Sequence, residues 1–155
     1  MTSIEYTVTD ERGLDIIGPL WKKLNEYHRE RSPHHAGHFA GMTFEVRKKH
    51  LLEKSHKGAM RVDIAKDVDA DKLVGYCVST VSANRQGEID SIFIEQDYRG
   101  SDIGDSLMKR ALKWMDGLSI TQRLVEVAAG NEEVFAFYRR YGFYPRSTIL
   151  RTVEK

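Results

Sequence analysis

A change of hydrophobic period between Glu88 and Leu118 constrains this fold more than any other feature of the sequence. Residues 88–95 alternate apolar and polar side chains and predict a strand. The following residues predict an amphipathic helix, with an apolar face formed by Ile103, Leu107, Ala111, Trp114 and Leu118. Residues 124–129 predict a further strand. A strand–helix–strand unit requires a right-handed parallel crossover, so the sheet should contain a parallel pair.

The first half of the chain predicts three strands and two helices. Residues 4–8, 60–65 and 73–81 predict strands, and the last two are joined to the strand at 88–95 by turn-length links. Helical spacing predicts one helix from Leu14 to about Arg31, with Pro19 near its start, and a second helix over residues 44–52. Residues 32–41 read as a polar loop. The three linked strands suggest an antiparallel meander, so the sheet is mixed and the fold class is α/β or α+β.

The C-terminal part of the chain predicts one short helix and one strand. The helix is marked by Val134, Phe137, Tyr138 and Tyr141, and Gly142 is expected to terminate it as a C-cap. Residues 148–153 alternate and predict a closing edge strand. No repeat or linker interrupts the sequence, so residues 1–155 are interpreted as a single domain.

Composition excludes several classes of protein. The 155 residues are 41% hydrophobic and 30% charged, which is typical of a globular protein. The formal charge of +1 argues against general nucleic-acid binding, and no run of apolar residues is long enough to span a membrane. Cys77 is the single cysteine, and the N-terminal residues do not resemble a signal peptide. We therefore expect a cytoplasmic protein with no membrane or nucleic-acid partner.

The turn between the strand at 88–95 and the next helix has the features of a phosphate site. The free backbone N–H groups of a helix N-terminus and its positive dipole favour an anion. Gly100 and Gly104 allow close approach of the backbone, and Arg99 adds a cation. An ordinary surface turn remains the alternative at this point, because short glycine motifs match by chance. Neither the Walker loop nor the dinucleotide-binding glycine pattern is present.

Two motifs in this order resemble those of the GNAT acetyltransferases. The run from Ile89 to Leu107, with Asp97-Tyr98-Arg99-Gly100 before Ile103-Gly104, resembles the family's Arg/Gln-x-x-Gly-x-Gly/Ala loop for the acetyl-CoA pyrophosphate. Residues 131–143 resemble its Asn…Phe-Tyr-x-x-x-Gly-Phe signature. The resemblance implies a twisted mixed sheet of about six to seven strands flanked by about four helices. One departure is Asp102, which stands where the family pattern has its first glycine.

The resemblance also implies which residues bind acetyl-CoA. The backbone near Phe93 and Ile94 would polarise the acetyl carbonyl and pair with the pantetheine arm, and Asn131 would hydrogen-bond that arm or cap the last helix. No metal is implied. The cofactor-binding residues would be Ile92, Phe93, Ile94, Arg99, Gly100, Ser101, Asp102, Ile103, Gly104, Asp105, Asn131 and Tyr138.

Amide formation from a thioester needs a base for the amine and an acid for the departing thiol. Glu88 and Asp90 share one face of their strand, and Asp90 stands where some family members, polyamine acetyltransferases among them, carry a catalytic carboxylate. Either carboxylate could instead bind a cationic substrate or remain solvated. Tyr138 lies seven positions after Asn131 and would protonate the thiolate, unless it is only a core aromatic residue.

The acceptor side is less defined by the sequence. By resemblance, Tyr27, His28 and His34 would border the acceptor, together with Glu88 and Asp90. Three histidines, at positions 34, 35 and 38, lack the acidic or cysteine partners of a standard metal pattern. The family implies a small-molecule amine or a protein amino group as acceptor, direct attack in a ternary complex, and a homodimer. The alternative function is a catalytically degenerate module that binds acyl-CoA as a sensor.

Overall fold

The chain forms a five-stranded mixed sheet with helices on both faces. The computed structural model describes residues 3–154, and the strands lie in the order β1-β2-β3-β4-β5. The strands are β1 (Ile4–Thr9), β2 (Ala59–Asp67), β3 (Lys72–Val81), β4 (Gly87–Ile94) and β5 (Arg123–Val125). The α-helices are α1 (Gly18–Arg31), α2 (Ala36–Ala40), α3 (Phe44–Lys54), α4 (Ile103–Gly117) and α5 (Phe135–Arg139). Short 3-10 helices occupy Glu11–Ile17, Gln96–Tyr98 and Glu132–Val134.

The sheet topology confirms the predicted mixture of antiparallel and parallel pairs. Strands β1 to β4 pair antiparallel in sequence order, whereas β5 runs parallel to β4 after the crossover through α4. A register shift in the β3–β4 pair places Val78 opposite Ser91 and Ser79 opposite Ile89. Asp90 is therefore the extra residue of a β-bulge, which turns the second half of β4 relative to the first.

Two hydrophobic clusters cover the two faces of the sheet. One face packs against α1 and α3 through Leu14, Trp21, Phe44, Leu51, Val62 and Tyr76. The opposite face packs against α4 and α5 through Cys77, Ile89, Leu107, Met108, Ala111, Met115 and Tyr138. A buried ion pair also holds α4 to the sheet, since Arg110 lies 3.1 Å from the fully buried Asp63 of β2.

Local signals in the sequence account for most helix ends. Pro19 lies in the first turn of α1, where proline is tolerated. Gly142 has φ +87°, its N–H bonds the Arg139 carbonyl at 3.1 Å, and the Phe143 N–H bonds the Tyr138 carbonyl at 3.2 Å. These bonds form a Schellman motif, with Phe143 packed against Tyr138. The predicted termination at Gly142 is confirmed, and it fixes the orientation of Tyr138.

The expected six to seven strands and about four helices need correction. Five strands form, because residues 148–153 have no partner strand within the described chain. The fifth strand, β5, is also shorter than predicted and covers only Arg123–Val125. The fifth helix is α2, which lies within the segment predicted as a polar loop. Alternation predicts the tendency to form a strand, but a strand also requires a neighbour to accept its hydrogen bonds.

Candidate active site

A cleft opens where β4 and β5 separate. The two strands pair only between Gly87–Ile89 and Arg123–Val125, so the second half of β4 has no strand partner on that side among residues 3–154. The resulting cleft has a volume of about 410 Å³. It is bounded by β4, the loop before α4, the first turn of α4, the residues around Asn131, and α5.

The free edge of β4 forms one wall of this cleft. Ile92, Phe93 and Ile94, three of the residues predicted to bind the cofactor, line this cleft. The carbonyl of Ile94 accepts a 3.0 Å hydrogen bond from Nε of Arg99. The Arg99 guanidinium also lies 5.5 Å from the centre of the Phe93 ring. The positive charge of Arg99 therefore lies beside the C-terminal end of β4.

The N-terminus of α4 points an uncapped helix end at the cleft. Asp102 is the N-cap residue, and its side chain accepts no hydrogen bond from the helix. The first helical hydrogen bond joins the Ser106 N–H to the Asp102 carbonyl at 3.0 Å, so the preceding N–H groups have no intrahelical acceptor. Ile103, Gly104 and Asp105 line the cleft at this end. Such a helix end favours an anion.

The backbone of the loop before α4 depends on left-handed residues. Gly100 has φ +81° and Asp102 has φ +64° with ψ +6°. Asp102 thus adopts the conformation for which glycine is suited, which explains the family's glycine at this position. The Tyr98 hydroxyl hydrogen-bonds to the Asp67 carboxylate and ties the loop to the end of β2. That bond, more than any other contact, holds the pKa of Asp67 below its usual value.

Asp105 is the second carboxylate near the helix end, and it is neutralised by several partners. Tyr141 donates a hydrogen bond to it, Lys109 lies 2.9 Å away and Arg140 lies 3.3 Å away. The Tyr141 hydrogen bond, followed by the one from Lys109, lowers the pKa of Asp105. Arg140 itself lines the cleft. The charge at this end of the cleft is therefore set by the two carboxylates together with Arg99 and Arg140.

Tyr138 and Asn131 are two further polar residues of the cleft wall. Tyr138 is only 8% exposed, and both residues line the cleft. Burial, with a smaller effect of Cys77, raises the pKa of Tyr138 far above its usual value, so its hydroxyl remains protonated. The side-chain carbonyl oxygen of Asn131 is buried without a hydrogen-bond partner within the described residues. A buried amide oxygen without a partner is costly, which favours a ligand that donates a hydrogen bond there.

Tyr27 closes the cleft from the side of α1. Its hydroxyl donates a 2.5 Å hydrogen bond to Glu133, across 106 positions of the chain. The guanidinium of Arg31 lies 3.5 Å from the Tyr27 ring centre, and that of Arg99 lies 5.3 Å from it. Tyr27 thus lies among two cations and one carboxylate at the mouth of the cleft.

The two predicted catalytic carboxylates lie outside the residues that line the cleft. Lys54 of α3 approaches both, at 2.8 Å from Asp90 and 3.0 Å from Glu88. Asp90 also accepts a 2.6 Å hydrogen bond from the Thr80 hydroxyl. Burial, followed by the charge of Asp90, raises the pKa of Glu88. Their shared contact with Lys54 places both side chains on the face of the sheet that packs against α1 and α3.

The other predicted residues take varied positions. The Ser101 hydroxyl donates a hydrogen bond to the Tyr98 carbonyl in the loop before α4. His28 lies beside Phe39, and its Nδ1 is buried without a partner among the described residues; burial, with Arg31, lowers its pKa. His34 is exposed between α1 and α2. Residues 3–154 contain no group of three potential metal ligands and no helix long and apolar enough to cross a membrane.

Sequence reasoning missed six residues that line the cleft. These are Leu24, Tyr98, Glu133, Val134, Phe137 and Arg140. Four of them, Glu133, Val134, Phe137 and Arg140, lie inside the second motif, so their place beside Asn131 and Tyr138 in the sequence could have suggested that they line the same cleft. Glu133 pairs with Tyr27 through tertiary structure, and no local signal in the sequence indicates that contact.

Comparisons with known proteins agree with this geometry. Residues 20–143 match the model of the acetyltransferase (GNAT) family. An uncharacterized N-acetyltransferase of Methanocaldococcus jannaschii is 30% identical over 83 residues, which cover 50% of this chain and 36% of that protein. The matched part therefore spans little more than a third of this relative.

Two solved structures share the fold at low sequence identity. The GCN5-related N-acetyltransferase from Ralstonia eutropha superposes with a TM-score of 0.73 at 14% identity, over 97% of this chain and 99% of that chain. The PaiA N-acetyltransferase from Thermoplasma acidophilum, solved in complex with coenzyme A, gives a TM-score of 0.73 at 19% identity, over 95% and 93% of the two chains.

Proposed function

Given that the chain belongs to the GNAT family of acetyltransferases, we propose that it transfers the acetyl group of acetyl-CoA to a primary amine by direct attack in a ternary complex. One observation carries this proposal. The cleft brings together a free strand edge, an uncapped helix N-terminus, the buried amide oxygen of Asn131 and the side chain of Tyr138. The strand edge and Asn131 suit an extended amide-containing arm, the helix N-terminus suits a pyrophosphate, and Tyr138 suits a thioester.

The pyrophosphate would be held by backbone groups at the start of α4. The residues proposed for this role are Arg99, Gly100, Ser101, Asp102, Ile103, Gly104 and Asp105. Arg99 and Arg140 supply positive charge at the same end of the cleft, which offsets the carboxylates of Asp102 and Asp105. The orphaned oxygen of Asn131 suits an amide N–H of the pantetheine arm, which would run along Ile92, Phe93 and Ile94.

Tyr138 is the proposed general acid. Its raised pKa keeps the hydroxyl protonated at neutral pH, and its place in the cleft allows it to give that proton to the departing thiolate. Cys77, the single cysteine, is fully buried, and burial raises its pKa to about 12. A covalent acyl-cysteine route is therefore unsupported, and direct attack by the amine is favoured. Such a thiol needs no oxidising compartment, which fits a cytoplasmic enzyme.

The proton lost by the amine is proposed to leave through the Glu88 and Asp90 pair. Asp90 is fully buried and bound to Lys54 and Thr80, whereas Glu88 is partly exposed and has a raised pKa. Two residues of strand, about 7 Å, separate Asp90 from Ile92, and four residues, about 13 Å, separate Glu88 from it. Proton transfer from an amine at the cleft therefore requires water between the amine and either carboxylate.

The acceptor is proposed to enter beside Tyr27, on the α1 side of the cleft. The carboxylate of Glu133 suits a cationic amine, whether on a small molecule or on a protein, whereas the Tyr27 ring already has the Arg31 guanidinium 3.5 Å from its centre. His28 and His34 lie on the same side, at the end of α1 and before α2.

The second candidate function is a module that binds acyl-CoA without turnover. The observation that favours it is the carboxylate of Asp102 at the proposed pyrophosphate site, since Asp105 is neutralised by Tyr141, Lys109 and Arg140. The charge of Asp102 opposes the cofactor and lowers the affinity that catalysis needs.

Thiol release from acetyl-CoA, followed with a thiol-reactive dye, tests the two candidates. The protein is assayed with polyamines, aminoglycosides and a lysine-rich peptide as acceptors, and acetylated products are identified by mass spectrometry. Amine-dependent release that is lost in Tyr138→Phe supports the enzyme. Tight acetyl-CoA binding with release no faster than in buffer, for every amine, favours the binding module.

A further inference from the structure

Arg31, in the last turn of α1, holds a guanidinium group at the mouth of the cleft. Its guanidinium carbon lies 3.5 Å from the centre of the Tyr27 ring, and Tyr27 lines the cleft. Arg29 pairs with Glu26 on the same helix, whereas the Arg31 side chain has no hydrogen-bond or ion-pair partner among residues 3–154. A guanidinium can bind a carboxylate or a phosphate through two parallel hydrogen bonds. Arg31 therefore offers an unused anion-binding group beside the cleft.

Two contacts hold Arg31 in this position. Tyr27 and Arg31 are four positions apart on α1, so the arginine side chain leans back over the preceding turn and onto the Tyr27 ring. The end of α1 also packs against the loop after β5. A side chain at position 130 would place its Cβ 2.1 Å from the Arg31 carbonyl oxygen, so Gly130, with φ +99°, permits this close approach. The position of Arg31 is therefore fixed relative to Asn131, the next residue in the cleft wall.

The charge around Arg31 is mainly positive. Residues 31–44 contain one arginine, three histidines and no aspartate or glutamate. Arg99 is a second guanidinium near Tyr27, at 5.3 Å from the ring centre. The carboxylate of Glu133 lies at the other end of Tyr27, where it accepts the hydrogen bond of the hydroxyl. An anion at the face of the Tyr27 ring would therefore meet a favourable potential.

The two ends of the Tyr27 side chain thus present opposite charges to an incoming molecule. Glu133 lies at the hydroxyl and keeps further lone pairs for an ammonium group, while Arg31 lies over the ring. The guanidinium stacks on residue 27, one turn before the end of α1, where the negative end of the helix dipole has little effect. An amine that carries its own anion can contact both charges, whereas a simple cationic amine leaves Arg31 unused.

We propose that the acceptor is a primary amine that also carries an anionic group, a carboxylate or a phosphate, and that Arg31 binds this anion. This inference rests on the proposed function, because it takes the acceptor to enter beside Tyr27. The amine passes Glu133 towards the thioester, and the anion remains at the mouth of the cleft on Arg31. Arg31 thereby determines specificity without contacting the reacting atoms.

Pairs of acceptors that differ in the anion test this specificity. β-Alanine is compared with β-alaninamide for a carboxylate, and phosphoethanolamine with ethanolamine for a phosphate, through kcat/KM. We expect the anionic member of at least one pair to be preferred by about tenfold, and Arg31→Gln to remove that preference. The same two amines are compared in both proteins, so their difference in basicity cancels. Turnover without a preference for the anion, or a preference that persists in Arg31→Gln, overturns the proposal.

Two controls separate anion binding from other roles of Arg31. The side chain of Arg31 is exposed, so Arg31→Gln should not unfold the protein. Arg29→Gln removes a guanidinium that is already paired with Glu26, and it should leave the preference unchanged. The dissociation constant for acetyl-CoA should change by less than about twofold in Arg31→Gln, because salt screens an exposed charge. A loss of acetyl-CoA affinity as large as the loss of preference would assign Arg31 to the cofactor and overturn the proposal.

Nitrogen NMR follows the same contact without turnover. The Nε–H signal of Arg31 is identified by its absence in Arg31→Gln. With coenzyme A present, we expect β-alanine or phosphoethanolamine to shift this signal saturably, and their neutral counterparts to leave it in place. A shift without amine-dependent thiol release would retain the anion site and contradict the transfer reaction. An unmoved signal with every amine would overturn the anion site, whether or not transfer occurs.

Discussion

The Lys54 ammonium lies 2.8 Å from the carboxylate of Asp90, whose side chain is fully buried. Lys54 also lies 3.0 Å from Glu88, so one cation of α3 serves two carboxylates of β4. Burial alone would lower the pKa of Lys54, but the two acids outweigh it and raise that pKa. The two acids therefore differ in their surroundings. The carboxylate of Asp90 is buried and bound by both Lys54 and Thr80, whereas that of Glu88 is partly exposed to solvent.

Asp90→Asn should destabilise the protein by about 2 kcal/mol. Removing one member of a buried ion pair leaves the other charge poorly compensated, although Lys54 keeps Glu88 and some solvent. Chemical denaturation measures the change. The matched control is Asp15→Asn, which removes the 2.7 Å pair between Lys48 and a carboxylate that is 75% exposed. The control should change the free energy of unfolding by less than about 0.5 kcal/mol. Equal effects of both variants would contradict a structural role for Asp90.

Glu88→Gln should remove the acidic limb of the pH–rate profile if Glu88 accepts the proton of the amine. A base works in its deprotonated form, so activity should rise as pH rises through the pKa of Glu88, which lies above the usual glutamate value. The profile of kcat/KM measures this limb. The charge of Glu126 contributes to that raised pKa, so Glu126→Gln should move the limb to lower pH without abolishing it. An unchanged profile in Glu88→Gln would exclude Glu88 as the base.

Tyr138→Phe should lower kcat by about 10²-fold, which is the usual contribution of a positioned general acid. The dissociation constant for acetyl-CoA should remain nearly unchanged, because the ring that lines the cleft is retained. Steady-state kinetics and calorimetry measure the two quantities. Tyr6→Phe, on β1 at the far edge of the sheet, is the control. Full activity in Tyr138→Phe under conditions where chemistry limits the rate would remove Tyr138 from the mechanism.

Asp102→Asn should tighten acetyl-CoA binding by about fivefold at low salt. In water, two like unit charges 4 Å apart repel each other by about 1 kcal/mol, so the Asp102 carboxylate raises the free energy of binding a phosphate, and salt screens that effect. Asparagine, like aspartate, tolerates the left-handed backbone conformation, so this variant changes the charge at position 102 without changing the backbone. The control is Asp97→Asn, an exposed acid five positions earlier that does not line the cleft. Weaker binding by Asp102→Asn would show that the carboxylate helps the cofactor.

Asp102→Gly should in addition raise the free energy of unfolding. Its φ of +64° strains any residue with a Cβ, and glycine removes a cost of roughly 1 kcal/mol. Thermal unfolding of the Asn and Gly variants separates the backbone contribution from that of the charge. A glycine variant no more stable than the asparagine variant would mean that the loop carries little strain.

The parts of this molecule that the sequence predicts are those governed by local chemistry. The period change from β4 to α4, the glycine at position 142 and the Arg99–Gly104 loop all depend on neighbours in the chain, and all appear in the structure. Such features need no knowledge of distant contacts.

Contacts between distant residues explain what the sequence misses. The link of Lys54 to Asp90 joins residues 36 positions apart, and that of Tyr27 to Glu133 joins residues 106 positions apart. The β-bulge at Asp90 is a property of the β3–β4 pair rather than of β4 alone. For the same reason, alternation over residues 148–153 predicted a strand without indicating whether another strand lies beside it.

Calorimetric titration with acetyl-CoA, with ATP as the control, tests the central claim most directly. Both ligands carry phosphates, but only acetyl-CoA has the arm and thioester that we propose to bind at β4, Asn131 and Tyr138. We predict saturable binding of one acetyl-CoA per chain and no measurable binding of ATP, with the acetyl-CoA affinity weakened by Arg99→Ala. No heat of binding with acetyl-CoA, or equal affinity for both ligands, would contradict an acetyl-CoA site in this cleft and with it the proposed transfer reaction.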